Sequence, residues 1–219
     1  MATASEFSSD PSPDVRQELA TQLRLLGFLP LAFFIAHLSF YWRNGGMENM
    51  FWMCNVANLA LAAGLFLGLR RLIRIAVLWL IPGLPLWLYY VTVNGGWLVT
   101  SFFTHIGGLI VGLFVLYKIG AGRWMWLHGF VLFLIVQQAS RSLTRPESNV
   151  NIAHVVDPAW AGVFSSYGLY WMATTLTVAA VLWVLGLILL KIFPSGGVLK
   201  KPQRHEDTKE HKGVNHCNY

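Results

Sequence analysis

Two side chains stand out against the apolar background of this chain as able to do chemistry. Cys54 lies in the run FWMCNVANLALAAGLFLGL and His105 in SFFTHIGGLIVGLFVLY. A thiol is a weak nucleophile near its free pKa of about 8.5, and a neighbouring imidazole activates it. A cysteine and a histidine on facing helices can therefore carry an acyl group. An Asn or Asp that orients the imidazole would complete a Cys-His-Asn type of arrangement. No local motif joins the two residues, so the elements that carry them must bring them together.

Other polar residues belong to the same candidate site. Asn58 follows Cys54 by four positions and shares its helix face. His37, Gln137, Arg141, Arg145, Asn149, Asn151, His154 and Asp157 are the remaining supporting or substrate-binding candidates. Asn151, His154 or Asp157 would orient His105 or bind a headgroup, and Arg141 and Arg145 would hold a phosphate. The plain alternatives are packing for Cys54 and interhelical hydrogen bonding for the histidines, Asn55 and Asn58. His37, Cys54, His105 and His154 are also zinc- or copper-ligand types. None of them pairs at the short spacing of a metal motif, so neither a metal nor another cofactor is expected. No Asp or Glu falls inside an apolar block, which argues against carboxylate-driven proton transport and against terpene cyclisation.

The elements that must position these residues are membrane helices. Of 219 residues, 55% are hydrophobic and only 12% charged, about half the charged share of a soluble domain. The apolar residues come in blocks of roughly twenty, enough to cross about 30 Å of hydrocarbon. Six spans are expected, at about 25–42, 49–69, 72–93, 97–117, 124–141 and 167–192. The fold class is an all-α polytopic bundle. Residues 1–24 form a polar N-terminus with a short surface helix that starts at Ser12-Pro13-Asp14. Residues 25–193 form the bundle, and 194–219 a basic, disordered tail. RNGG, NGG and GAG mark tight turns, Pro82 and Pro85 a kink in span three, and Gly108-xxx-Gly112 a close-packing face.

Six spans put 13 of the 16 Lys and Arg residues on one face, leaving Arg43, Arg141 and Arg145 on the other. That asymmetry predicts both termini in the cytoplasm. It also places Cys54 about 8 Å and His105 about 12 Å deep from the outer face, at 1.5 Å per residue. Polar side chains at membrane depth face the bundle interior or a water-filled cavity. The expectation is an outward-facing cavity among spans one, two, four and five, roofed by the loop SLTRPESNVNIAHVVDPAW. The net charge of +6 is explained by this topology, and no nucleic-acid surface is expected.

Four pieces, in order, resemble the YwaF-like family of bacterial multi-pass membrane proteins. They are MFWMCNVANL, LWLIPGLP, SFFTHIGGLIVGLFVLY and RPESNVNIAHVVDPAW, and together they cover roughly residues 48 to 175. That family is related to the AIG/ADTRP lipid hydrolases and to a transmembrane acyltransferase that forms ether phospholipids. The chain departs from many relatives in lacking a leucine-proline-leucine-histidine lead before the cysteine helix, and in reading Asn-Val-Asn in the loop. The resemblance implies a helical membrane fold in a bacterial plasma membrane, with Cys54 and His105 as the catalytic pair. The expected function is a lipid acyltransferase or acyl hydrolase with membrane lipids as partners. The alternative is a non-catalytic subunit or lipid-binding element of a larger membrane assembly, docked against other membrane subunits.

Overall fold

The computed structural model describes residues 21–96 and 98–195. The expected helix start at Ser12-Pro13-Asp14 and the expected disordered tail lie outside the described residues. Among the described residues the chain is helical throughout, with no strand. Six helices carry the fold: α1 Phe28–Asn44, α2 Met53–Leu67, α3 Arg70–Asn94, α4 Val99–Ile119, α5 Met125–Leu143 and α6 Tyr167–Ile192. Successive helices run in opposite directions, joined by turns in which Gly45, Gly46, Gly68, Gly95, Gly96 and Gly120 adopt positive φ.

Four stretches are long and apolar enough to cross a membrane: Thr21–Asn44, Arg70–Val93, Val99–Ile119 and Tyr167–Ile192. This is the build of an integral membrane protein. Two of the six expected spans differ. Helix α2 has 15 residues, about 22 Å at 1.5 Å per residue, because the first residues of its apolar run form a separate 3₁₀ turn, Met47–Phe51. Helix α5 has 19 residues, but its last turns carry Gln137, Gln138, Ser140 and Arg141.

Helix α3 is the axis of the bundle. Every residue from Ile75 to Leu80 is buried, so this helix is covered on all sides rather than along one stripe. Glycines let the neighbours close in. A Cβ on Gly64 of α2 would lie 2.8 Å from Ile73, and one on Gly112 of α4 would lie 2.9 Å from Val77. Gly129 of α5 meets Leu78, and its carbonyl accepts a 3.2 Å hydrogen bond from Trp79 Nε1. The half of the bundle around Leu61, Val77, Leu80 and Leu116 is an apolar core. The polar residues gather at the opposite end, where α1, α3 and α5 finish and the loop of residues 144–166 folds over. That loop contains three 3₁₀ turns: Pro146–Ser148, Val150–Ile152 and Pro158–Trp160.

Candidate functional site at the loop end of the bundle

The cluster is built on a break in α4. Residues Phe103–Gly107 form a π turn, a wider turn that places an extra residue in the helix and is frequent at functional sites. The Gly108 amide bonds to the carbonyls of His105 and Phe103 instead of that of Thr104. The Thr104 carbonyl is thereby freed inside the bundle. Asn58 of α2 fills the vacancy: its Nδ2 donates to Thr104 O and to Cys54 O, both at 2.9 Å. One buried amide thus ties the turn that carries Cys54 to the turn that carries His105. Gly108 makes room for it, because a Cβ there would run into the Asn58 side chain. Asn58 Oδ1 is buried without a hydrogen-bond partner.

His105 is buried and stacked on Trp87 of α3, with ring centroids 4.8 Å apart and planes 13° apart. Its Nδ1 lies 2.8 Å from the Ser101 carbonyl. A carbonyl only accepts, so Nδ1 carries the proton and Nε2 holds the lone pair. Among the described residues Nε2 has no hydrogen-bond partner. His37 of α1 shares a 2.9 Å hydrogen bond with Thr100 Oγ1 and packs edge-on against Tyr41. The two imidazoles are close enough to influence each other electrostatically.

Cys54 is a free, half-buried thiol in the first turn of α2. Its sulfur faces the backbone amides of Cys54 and Asn55, at the end of a helix where negative charge is favoured. Its Cβ lies opposite Gly83 of α3, where an added methyl would sit 3.6 Å away. Tyr41 is its electrostatic neighbour. No hydrogen bond joins the Cys54 sulfur to His105 or to any other described side chain. The structure therefore gathers Cys54, Asn58, His37 and His105 at one end of the bundle without making a thiol–imidazole bond.

The walls of this cluster are α1, α2, α3 and α4, not the expected set of spans one, two, four and five. Helix α3 enters through Gly83 and Trp87, which lie one turn apart on one face. Sequence reading treated the IPGLP segment only as a kink, and Trp87 was missed; its spacing of four from Gly83 was the available signal. Helix α5 leaves the cluster because its polar residues serve the loop. Gln137 Nε2 donates to Asn151 O at 3.2 Å, and Gln137 Oε1 accepts from Trp171 Nε1 at 2.9 Å.

The loop candidates are likewise occupied. Asn151 Oδ1 accepts from Met53 N at 3.1 Å, capping α2 one residue before Cys54. Its Nδ2 donates to Phe51 O at 2.7 Å and to Ser140 Oγ at 2.9 Å. Asn149 Oδ1 accepts from the amides of His154 and Val155. Both asparagines adopt positive φ, 40° and 54°, which Asn tolerates better than most residues. Thr144 Oγ1 donates to Ser140 O, so the His154 Nε2 that lies 3.1 Å from it is the donor of that contact. Asp157 caps the turn at Ala159. Arg141 lies over the Tyr167 ring, and Arg145 pairs with Glu48 across 2.5 Å. The Arg145 guanidinium holds the Glu48 carboxyl below its ordinary range. None of Asn151, His154 and Asp157 reaches His105.

Among the described residues no three His, Cys, Asp or Glu side chains converge in a metal-holding group. No protein-family model, curated protein or solved structure matches this chain.

Proposed function

We propose that this protein is an integral membrane acyltransferase or acyl hydrolase acting on lipids, with Cys54 as nucleophile and His105 as base. The observation that carries this reading is the double donation of Asn58 Nδ2 to Cys54 O and Thr104 O. It makes the nucleophile's turn and the base's turn one unit, and the π turn leaves His105 Nε2 with an open lone pair.

In the proposed reaction the Cys54 sulfur attacks the ester carbonyl of a lipid. The thiol proton passes to His105 Nε2, the carbon–oxygen bond breaks, and the proton goes on to the departing alcohol. An acceptor hydroxyl or water then attacks the thioester while His105 removes its proton; the carbon–sulfur bond breaks, and that proton returns to the departing Cys54 sulfur. Approach of the imidazole to the sulfur requires a local rearrangement when substrate enters between α1 and α4. Exposed Arg141 remains the phosphate candidate.

In this reading all six helices cross the bilayer, α2 through a locally thinned region. Both termini lie in the cytoplasm, and the protein sits in a bacterial plasma membrane as a YwaF-like protein. Support for the topology comes from the charge distribution: among the described residues Glu48, Glu147 and Asp157 all lie at the loop end, and most cations at the other.

A second reading has its own observation. Because no hydrogen bond joins Cys54 to His105, the same cluster serves as interhelical glue in a non-catalytic lipid-binding or assembly subunit. Intact-protein mass spectrometry after incubation with mixed phospholipids separates the two. The catalytic reading expects an acyl-sized adduct in the wild type that is absent from Cys54→Ser and weak in His105→Gln. No adduct in the wild type across several donor classes would overturn it in favour of the subunit.

A further inference from the structure

A second lipid-facing feature lies at the far end of the bundle, remote from Cys54 and His105. Between the start of α5 and the last turns of α6 runs an open groove of about 550 Å³, lined by Arg123, Trp124, Trp126, Trp183, Leu187 and Leu190. Its floor exists because Gly186 lets Trp126 lie against α6; a Cβ there would be 3.0 Å from that of Trp126. Trp124, Trp183 and Leu187 are about half exposed. The groove therefore presents indole and leucine surface at the boundary where tryptophan is favoured in a membrane protein.

The mouth of the groove is cationic. Arg123 is exposed and lies over the Trp124 ring, 5.4 Å from its centroid. Among the described residues it has no carboxylate partner. This end also carries Arg24, Arg70, Arg71, Arg74, Lys118 and Lys191, and no Asp or Glu among the described residues. The amides of Trp126 and Leu127, at the start of α5, bond to no carbonyl among the described residues. Donors and positive charge thus cluster at one end of an apolar trough as long as a few turns of helix.

We propose that this groove binds an anionic phospholipid, with an acyl chain along Trp183, Leu187 and Leu190 and the phosphate against Arg123. The charge decides the occupant. The tail beyond residue 195 is itself net basic, with five Lys or Arg against three Asp or Glu, so its composition offers this mouth no net negative charge. A zwitterionic headgroup sets its own cation beside the phosphate and offsets the attraction, whereas an anionic headgroup gives Arg123 a charge-assisted hydrogen bond with nothing to offset it.

The test is native mass spectrometry of the full chain in detergent, titrated with phosphatidylglycerol or with phosphatidylcholine of the same acyl chains. The wild type should retain one phosphatidylglycerol about fivefold more readily than phosphatidylcholine, the scale of one basic residue near a lipid phosphate. Arg123→Gln should abolish that preference while Lys118→Gln, outside the groove, keeps it. Leu187→Trp, which fills the trough, should weaken retention of both lipids. Equal binding of the two lipids by the wild type would overturn the proposal. So would equal loss in Arg123→Gln and Lys118→Gln, which would mean diffuse charge attraction. A dimer that Leu187→Trp dissociates would overturn it as well, the groove then being covered by a second copy. If Arg123→Gln does not fold, Leu187→Trp decides the matter, because it leaves every charge in place: weakened retention of phosphatidylglycerol supports the groove and unchanged retention overturns it.

Discussion

The loop of residues 144–166 and the cluster beneath it are both polar, yet their hydrogen-bonding groups are in opposite states. In the loop, Asn149, Asn151, His154 and Asp157 are all engaged with backbone or hydroxyl partners. In the cluster, His105 Nε2 and Asn58 Oδ1 have no partner among the described residues, and the Cys54 sulfur hydrogen-bonds to no described side chain. A buried polar group without a partner is costly, and such groups concentrate where a ligand or reaction uses them. Polarity alone marked both regions as candidate sites. The state of the hydrogen bonds tells the two regions apart.

The sharpest way to break that distinction is to remove the loop's main anchor. Asn151 makes three side-chain hydrogen bonds that fasten the loop to Phe51, Met53 and Ser140. At about 1 kcal/mol each, Asn151→Ala should cost about 3 kcal/mol of stability, read as a lowered thermal midpoint in detergent. Asn151→Gly, which keeps the positive φ at ease, should recover part of that loss. If Asn151→Ala melted normally but lost lipid chemistry, the loop would be site rather than scaffold.

The opposite pattern is expected beneath the loop. His105→Gln removes the open lone pair but leaves the helix and its close packing in place. Acyl-adduct formation should fall by about 10²-fold, the lower range for loss of a general base. Stability should fall by about 1 kcal/mol, the scale of the lost Trp87 stack. A large stability loss with a proportionate activity loss would make His105 a structural member like Asn151.

How far the sequence foretold this comparison differs by element. The six helices were legible because apolar blocks and glycine turns are local signals. Among the described residues, Arg43, Arg141 and Arg145 at one end and the other cations at the opposite end were legible for the same reason. The π turn was not, because an added residue in SFFTHIGG leaves the apolar pattern intact; its cause lies in Asn58, 46 positions from Thr104. The hydrogen bonds that Asn149 and Asn151 make within the loop and to α2 were not legible either. Apart from the Ser140 hydroxyl, their partners are backbone groups, which carry no side-chain signature, and those of Asn151 lie up to 100 positions away. The break of the second apolar run into a 3₁₀ turn and a short α2 has the same origin, since Asn151 caps α2 from the loop.

The join between Cys54 and His105 can be tested from the glycine side. A methyl at position 108 would collide with the Asn58 amide, so Gly108→Ala should cost about 1–2 kcal/mol, in the range of overpacked sites. Asn58→Ala removes the collision along with the tie. The double variant should therefore be less destabilised than the sum of the two single variants. Strict additivity would mean that Asn58 and Gly108 do not meet, and the two turns would no longer form one unit.

The smallest effect belongs to the exposed pair at the loop's rim. Arg145 and Glu48 join the loop to the 3₁₀ turn before α2, but Arg145 is exposed and Glu48 lies half-buried at the surface, where ion pairs contribute little and are screened by salt. Because Arg145 holds the Glu48 carboxyl below its ordinary value of 4.5, the pair's contribution is fully present above that value. It is lost as pH falls through the lowered value of the folded protein. Arg145→Gln should therefore shift the thermal midpoint only slightly at pH 7, and the difference from wild type should vanish in strong acid or in high salt. A difference that persists in acid would mean that Arg145 serves the loop through something other than the carboxylate. A large loss of lipid chemistry at unchanged stability would return Arg145 to the substrate and place part of the site on the loop after all.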